Sequence, residues 1–249
     1  MQHGEARTAS AARAGAGRVL VRAGTVVDAA GTDASPGGLL LEGGRVLAAG
    51  ELPGIGEVGD ATVLDRPFSA VVPAFANAHA HLDLSHVAPI PGGGDFTAWI
   101  AAIRAARHPD DASIARSVRR GIELSLAGGT AVIGDVAGAG SPVPTAELRR
   151  SPLAGVLYRE VFGVGGRQEA AAESIAALAA EARAAERAAG PGDAVRRVRQ
   201  GISPHAPYSC GPLAYAAAAA SGLPVATHLA ETVEELAFVR EGGGRFEAF

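Results

Sequence analysis

The sequence predicts an α/β fold, an incomplete (β/α)8 TIM-type barrel, and two observations support this prediction. From Val71 onward, apolar strand segments alternate with amphipathic helices, a pattern typical of a parallel sheet with right-handed crossovers. Histidines follow the ends of these strands, which is the catalytic face of such a barrel. About five strands are visible and a closed barrel needs eight, so we expect the strands that complete it to lie beyond Phe249.

The composition excludes several classes of function. All 22 basic residues are arginines, so neither a Schiff-base lysine nor a P-loop lysine is available. The net charge is −4, and no basic stripe with interleaved aromatic residues occurs, which argues against a nucleic-acid partner. No apolar run approaches the ~20 residues of a membrane span and none is typical of a signal peptide, so we expect no membrane partner and a cytoplasmic location.

The N-terminal part of the chain is predicted to contain strands without helices. Residues 1–17 lack hydrophobic periodicity and are expected to form a disordered tail, which includes His3. Residues 18–70 contain short apolar segments, and Gly43-Gly44 between two of them is a hairpin signal. A break is expected between strands 19–21 and 25–27. These strands are too short and too few to make a comfortable core alone, so they need a partner layer.

Residues 71–249 are predicted to form the barrel domain, ending after its fifth strand and the start of the next helix. Helices are predicted where apolar residues recur at three- and four-residue spacing or where capping signals occur. They cover residues 96–107, 111–126, 169–189, 213–220 and 234–240. One strand leads to His79, and the others cover residues 130–135, 153–162, 197–203 and 224–228.

The histidines at these strand ends carry the chemistry. His79 and His81 are two residues apart, and in an extended chain side chains at this spacing point the same way. His205 follows the fourth strand and His228 the fifth, with Glu231 three residues later. Three imidazoles on one face can bind a borderline-soft divalent metal, which lowers the pKa of a bound water to about 7. A nearby carboxylate that is not a ligand can then transfer the proton.

Three segments resemble signatures of the amidohydrolase superfamily. They are residues 73–82 (PAFANAHAHL), 203–209 (SPHAPYS) and 227–232 (THLAET). The subgroup they are most similar to contains aminodeoxyfutalosine, adenosylhomocysteine and guanine-type deaminases and the related chlorohydrolases. The resemblance covers the chain from about Arg18 to its end, and it implies that residues 18–70 are part of a small β-sandwich.

The resemblance also implies a role for each histidine. His79, His81 and His228 would bind one divalent metal ion, zinc before iron or manganese. Glu231 would be the proton shuttle, and His205 would contact the substrate. The superfamily's histidine of the sixth strand and aspartate of the eighth would lie beyond Phe249, so we expect about half of an active site. The oligomeric state stays open, a homo-oligomer included.

The function implied is hydrolytic deamination of an amino-substituted, adenine-type heterocycle by metal-bound hydroxide, with water as co-substrate. Within the same superfamily, an alternative is hydrolysis of another C–N bond or of a C–Cl bond. A second alternative is a non-catalytic remnant, or half of a split enzyme whose partner supplies the missing strands. A fragment of a longer protein would explain the unfinished barrel equally well.

Several further polar residues have two interpretations each. Asp83 and Asp135 would orient a metal-binding histidine or would serve as turn and cap residues. Glu160, with Arg159 before it, would contact the polar edge of a substrate or take part in an internal ion pair. His86 and His108 are read as a loop residue and a helix-end residue. Cys210, the only cysteine, excludes an internal disulfide and is read as a small buried filler.

Overall fold

A computed structural model describes residues 17–31, 33–91, 94–138 and 140–248. The tail expected at residues 1–17 lies outside the described residues, apart from Gly17. The chain divides between Pro73 and Ala74 into two compact units. Across the described ranges, no helix combines the length and the apolar character that a bilayer span requires.

The N-terminal unit is a five-stranded sheet. Its strands are β1 (Arg18–Val27), β2 (Asp33–Ala34), β3 (Gly37–Glu42), β4 (Arg45–Glu51) and β5 (Thr62–Val71). Four of them follow the order β2-β1-β3-β4, and β5 pairs with β1 in parallel. Leu20, Leu40 and Ile55 form the small core of this unit.

Glycines explain one success and one error in this unit. Gly43 and Gly44 join β3 to β4 with φ values of 56° and 78°, the conformation that a two-residue hairpin requires, so the predicted hairpin is confirmed. The expected break after Val21 is wrong, because β1 continues through Gly24. A Cβ atom at Gly24 would lie 2.5 Å from the Pro67 carbonyl oxygen, so glycine allows β5 to approach there, beside a register shift.

The C-terminal unit is built on a parallel sheet, which confirms the predicted α/β class. The four strands are β6 (Phe75–Ala80), β7 (Thr130–Ala137), β8 (Ala154–Val161) and β9 (Val198–Pro204), and they follow that order in the sheet. The helices are α1 (Phe96–Ala106), α2 (Asp111–Ala127), α3 (Val143–Arg150), α4 (Gln168–Ala188), α5 (Ala194–Arg197), α6 (Pro212–Ala220) and α7 (Val233–Glu241). Five of them match the predicted helices within two residues, and α3 and the one-turn α5 were not predicted.

The segment expected as a fifth barrel strand is only partly a strand. Val225 forms a single parallel bridge with Ile202, supported by backbone hydrogen bonds from Ile202 N to Pro224 O (2.9 Å) and from Ala226 N to Ile202 O (3.1 Å). Pro224 has no N–H, and it therefore cannot donate to a sheet. The backbone nevertheless continues along β9, since His228 N donates to His205 O at 2.8 Å.

Helices cover the sheet and create two clusters of buried residues. One cluster packs against β7 and β8, and its fully buried side chains include Val118 of α2, Leu148 of α3 and Leu157 of β8. A second cluster joins α4 and α6 to the end of β8 through Ile175 and several alanines, among them Ala214. This packing fixes the strand ends from which the candidate site is built.

Candidate metal centre

Three imidazoles converge at the carboxyl ends of the strands. His79 lies in β6, His81 directly follows β6, and His228 follows the bridge at Val225. The Nε2 atom of His81 lies 3.2 Å from Nε2 of His79 and 3.2 Å from Nε2 of His228. The candidate ligand atoms of all three lie within 4.8 Å of one another, which is close enough to bind one ion.

Backbone carbonyls determine which nitrogen of two of these rings is available. Nδ1 of His81 donates to the Val136 carbonyl at 2.9 Å, and Nδ1 of His228 donates to the His205 carbonyl at 3.0 Å. In the neutral rings, both Nε2 atoms therefore carry a lone pair and no proton. Two such lone pairs facing each other at 3.2 Å repel, and a cation between them removes the repulsion. The donor set therefore fits a divalent metal.

The electrostatic surroundings keep two of these histidines neutral. Burial, together with the neighbouring His228 and His79, lowers the pKa of His81 to about 4. Burial and His228 also lower the pKa of His79. A metal ligand must be unprotonated, so both rings are in the binding-competent form at neutral pH.

A tight turn places Glu231 beside this cluster. Ala230 has a left-handed backbone conformation, with φ of 61°, which is unfavourable for a residue with a Cβ atom. The buried carboxylate of Glu235 holds the turn by accepting hydrogen bonds from Ala230 N (3.1 Å) and Glu231 N (2.7 Å). On the other side, the Tyr208 hydroxyl donates to Oε2 of Glu231 at 2.8 Å. Glu231 is thus held at both its backbone and its side chain.

Glu235 was not among the predicted site residues, although a local signal for it exists. Thr232 caps α7 by accepting from Glu235 N at 3.2 Å, and a threonine followed three residues later by glutamate is the sequence of a capping box. Here the glutamate reaches back past the cap to the two preceding amides. The signal would have predicted the cap but not the support of Glu231.

A second polar group lies next to the histidines. His205 bonds through Nδ1 to the Ser209 hydroxyl at 2.8 Å, and its ring packs against Phe162 with 4.6 Å between ring centres. Its Nε2 atom lies 3.8 Å from Oε1 of Glu160, at the end of β8. Arg107 approaches the other carboxylate oxygen at 3.7 Å. Burial raises the pKa of Glu160 to about 8, and the same effect lowers the pKa of His205 to about 3.

All of these groups face one cavity of about 640 Å³. His79, His81, His205, His228, Glu160 and Glu231 line it together. The apolar side of α1 supplies much of the remaining wall through Phe96, Trp99, Ile100 and Ile103. Aromatic and aliphatic walls with a few polar groups at one end are typical of sites for small organic molecules.

The contacts of Asp83 and Asp135 are with backbone amides and an arginine. Asp83 forms an ion pair with Arg107 and accepts from Gly138 N, while Asp135 is fully buried and accepts from Leu82 N at 2.9 Å. Neither of these carboxylates contacts an imidazole of the cluster. Asp135 instead anchors the backbone directly after His81. Cys210 is buried, as expected for a filler.

His86 and His108 lie outside the cluster and stack on each other with 3.6 Å between ring centres. His86 uses both ring nitrogens, one with the Ser117 hydroxyl and one with the Ala106 carbonyl, each at 2.9 Å. His86 therefore serves to tie the end of α1 to α2. His108 lines the cavity, a position that its helix-end location did not predict.

Comparison with known proteins gives a family and a fold. Residues 70–248 match the sequence profile of the amidohydrolase family. Aminodeoxyfutalosine deaminase of Deinococcus radiodurans is 31% identical over 217 residues, which are 84% of this chain and 48% of that protein. 5-Methylthioadenosine/S-adenosylhomocysteine deaminase of Symbiobacterium thermophilum is 28% identical over 239 residues, which are 92% of this chain and 52% of that protein. The chain thus spans about half the length of these relatives.

A solved structure extends the likeness to the fold. The crystal structure of atrazine chlorohydrolase from Arthrobacter aurescens TC1, complexed with zinc, superposes with a TM-score of 0.69. The match covers 92% of this chain and 57% of the chlorohydrolase chain, at 15% sequence identity. At this identity the likeness concerns the fold alone.

Proposed function

This chain belongs to the amidohydrolase family, and from that premise we propose that it binds one divalent metal ion, zinc first, and takes part in hydrolytic deamination of an adenine-type heterocycle. The observation that supports this proposal most directly is the convergence of His79, His81 and His228 on one point. Two of their rings present unprotonated Nε2 atoms there because backbone carbonyls accept from their Nδ1 atoms.

In the proposed reaction, water adds its oxygen to the ring carbon, the carbon–nitrogen bond breaks and the nitrogen leaves as ammonia. A divalent metal bound by the three histidines would act as a Lewis acid that supplies a nucleophile at neutral pH. Glu231 carries a proton from the water to the heterocycle. Its Oε2 atom is held by the Tyr208 hydroxyl, so Oε1 is the oxygen available for this transfer.

The cavity binds the heterocycle. The wall formed by Phe96, Trp99 and Phe162 offers flat apolar surfaces to an aromatic ring, and it excludes water from one side of the ring. His205 contacts the ring from the side of β9, held in place by the Ser209 hydroxyl. The adenine-type substrate is proposed because two relatives are deaminases, one of them named for adenosine-containing compounds.

We further propose that the parallel sheet is part of a (β/α)8 barrel and that the N-terminal sheet is part of a small β-sandwich. The full set of catalytic groups would then include residues from strands that pair beyond β9 and the Val225 bridge. Residues 71–249 would form the barrel portion and residues 18–70 the sandwich portion.

The first test is the metal content of the 249-residue chain, and ammonia release by that chain together with the strands that would complete the proposed barrel. We expect about one zinc per chain, and ammonia from adenosine or 5′-methylthioadenosine when those strands are present. Changing His79 to Ala removes one of three ligands, so zinc and ammonia release are both lost. Changing Glu231 to Gln preserves zinc and abolishes ammonia release, because Glu231 is not a ligand. His3→Ala is the matched control and retains both properties.

The outcomes separate the proposed function from its alternatives. Chloride release from a chlorotriazine without ammonia release from adenosine would replace the deaminase proposal by a chlorohydrolase. Zinc bound by His79, with no turnover of any substrate even when the completing strands are present, would favour the non-catalytic remnant. A folded chain that binds no zinc would contradict the metal centre itself.

A further inference from the structure

The carboxylate of Glu160 lies on the cavity wall and has no role in the proposed reaction. The residue is only 7% exposed, and its side chain is 2% exposed. It nevertheless lines the cavity, so the little surface that it has faces the space where a ligand would lie. A buried carboxylate normally accepts several hydrogen bonds, because leaving it without them is costly.

Within the described part of the chain, Glu160 has charged neighbours but accepts no hydrogen bond. Arg107 lies 3.7 Å from one oxygen and His205 lies 3.8 Å from the other, and both distances exceed those of hydrogen bonds. The Arg107 guanidinium is already bonded through its NH1 group to Asp83. His205 is held by Ser209, and its ring is packed against Phe162. The neighbours are therefore fixed too far away to donate a hydrogen bond to Glu160.

We propose that Glu160 accepts a hydrogen bond from an N–H or O–H group of the bound substrate, and that it is a specificity-determining residue of this cavity. The inference rests on the proposed function, since it places an amino-substituted nucleoside in the cavity. Whether or not Glu160 carries a proton, one of its oxygens remains an acceptor, so its role does not depend on its protonation state.

The location limits which donors can reach Glu160. One of its oxygens lies within 4.8 Å of the candidate ligand atom of His228, so the donor belongs to a part of the substrate close to the metal centre. The exocyclic amino group and the ribose 2′- and 3′-hydroxyls are the three donor groups that adenosine and 5′-methylthioadenosine share. Both types supply the same chemistry, and ligands that lack one donor at a time distinguish them.

The test combines deletions in the ligand with a deletion in the protein. The probes are adenosine, purine riboside, which lacks the amino group, 2′-deoxyadenosine and 3′-deoxyadenosine. Binding is measured on the zinc-loaded 249-residue chain carrying Glu231→Gln, so that the proposed turnover does not consume the probe. Fluorescence of Trp99 reports binding, because it is the single tryptophan and lines the cavity.

We expect that deleting one of the three donors weakens binding about tenfold, the effect of one lost hydrogen bond to a charged or buried acceptor. In Glu160→Met that same deletion has no effect, because the acceptor is gone. In Glu160→Gln the effect persists, since the amide keeps one acceptor oxygen. Glu123→Met, on the exposed face of α2, is the matched control and leaves every affinity unchanged.

Thermal unfolding of each variant establishes that it is folded, and Glu160→Ala replaces the methionine variant if the latter unfolds. The inference would be contradicted if all three ligand deletions weakened binding to Glu160→Met as much as they weaken binding to Glu160→Gln. Failure of all four nucleosides to bind would also contradict it. Ammonia release without coupling to Glu160 supports the proposed function and overturns this inference. If a ligand-deletion penalty depends on Glu160 but no ammonia is released, this inference is supported and the proposed function is overturned.

Discussion

Two buried glutamates near the histidine cluster are held in opposite ways. Glu235 is 2% exposed, and its two oxygens accept hydrogen bonds from the amides of Ala230 and Glu231. Glu160 is 7% exposed, and its nearest charged partners lie at 3.7 and 3.8 Å. The Glu235 carboxylate thus accepts hydrogen bonds from backbone amides of the adjacent turn. The Glu160 carboxylate lines the cavity, and its charged neighbours lie too far away to donate a hydrogen bond.

This difference in hydrogen bonding distinguishes a buried carboxylate that stabilises the fold from one that is available to a ligand. The hydrogen bonds to Glu235 offset its desolvation and also hold Ala230 in a left-handed conformation. Among the residues that the structure describes, no hydrogen bond offsets the desolvation of Glu160, and burial accordingly raises its pKa to about 8. A buried acid whose neighbours are fixed but too distant is a candidate for contact with a ligand.

The largest effect is expected for Glu235→Ala. Two backbone donors lose their acceptor and the strained turn loses its support, so unfolding should become easier by about 3 kcal/mol. Glu235→Gln should cost less, because one acceptor oxygen remains. Urea unfolding of both variants measures the effect, with the exposed Glu123→Ala as a control that changes stability by less than about 0.5 kcal/mol. Equal stability of Glu235→Ala and the control would remove the distinction drawn between the two glutamates.

A smaller effect is expected from the titration of Glu160. Its folded-state pKa of about 8 lies above the ordinary value of 4.5, so the folded chain binds the proton more tightly than the unfolded chain. This group therefore makes the fold less stable as the pH rises toward and through 8, with little further change above. Between pH 6.5 and 8.5, wild type should lose about 2 kcal/mol relative to Glu160→Met.

The comparison is made as a difference between the two proteins because other groups titrate as well. Asp135, whose pKa burial raises to about 7, is present in both proteins, so the difference between them reports Glu160 together with its electrostatic interaction with Asp135. The lowered pKa values of His81 and His205 act mainly below pH 6.5. Urea unfolding at five pH values measures the difference, and parallel stability curves for the two proteins would show that Glu160 does not titrate in this range.

The sequence predicted the parts of the fold that depend on local signals. The sequence offers Asp110 or Asp111 as the cap of α2 and Gly128-Gly129 as its end, and the structure uses Asp110 as the N-cap and Gly128 as the C-cap. Helix α3 was not predicted because Pro142 lies directly before its first turn and Pro144 lies within it. A short helix with prolines has little apolar periodicity. The expected strand at residues 224–228 became one bridge, since its partners depend on the rest of the sheet.

The candidate site was predictable to a similar extent. The spacing of His79 and His81 follows from the geometry of an extended chain, and the structure brings the two together as expected. His228 is 147 residues from His81 in sequence, and its position at the end of a predicted strand, together with the resemblance of its segment to a family signature, joined it to the pair. The orientation of Glu160 depends on packing between β8, β9 and α1, for which no local pattern exists.

The smallest effect is expected at Ala230, and it tests whether Glu235 imposes the shape of the turn. Ala230→Gly removes the strain of a Cβ atom at φ of 61°, which should stabilise the chain by about 0.5–1 kcal/mol after the greater entropy of the unfolded glycine is counted. In the exposed middle of α4, Ala177→Gly should instead destabilise by about 1 kcal/mol. If Glu235 imposes the conformation, the gain at Ala230 should vanish in the Glu235→Ala background, where the turn can relax. A gain of the same size in both backgrounds would mean that the turn keeps its left-handed residue without the carboxylate, and that Glu235 does not impose the shape of the turn.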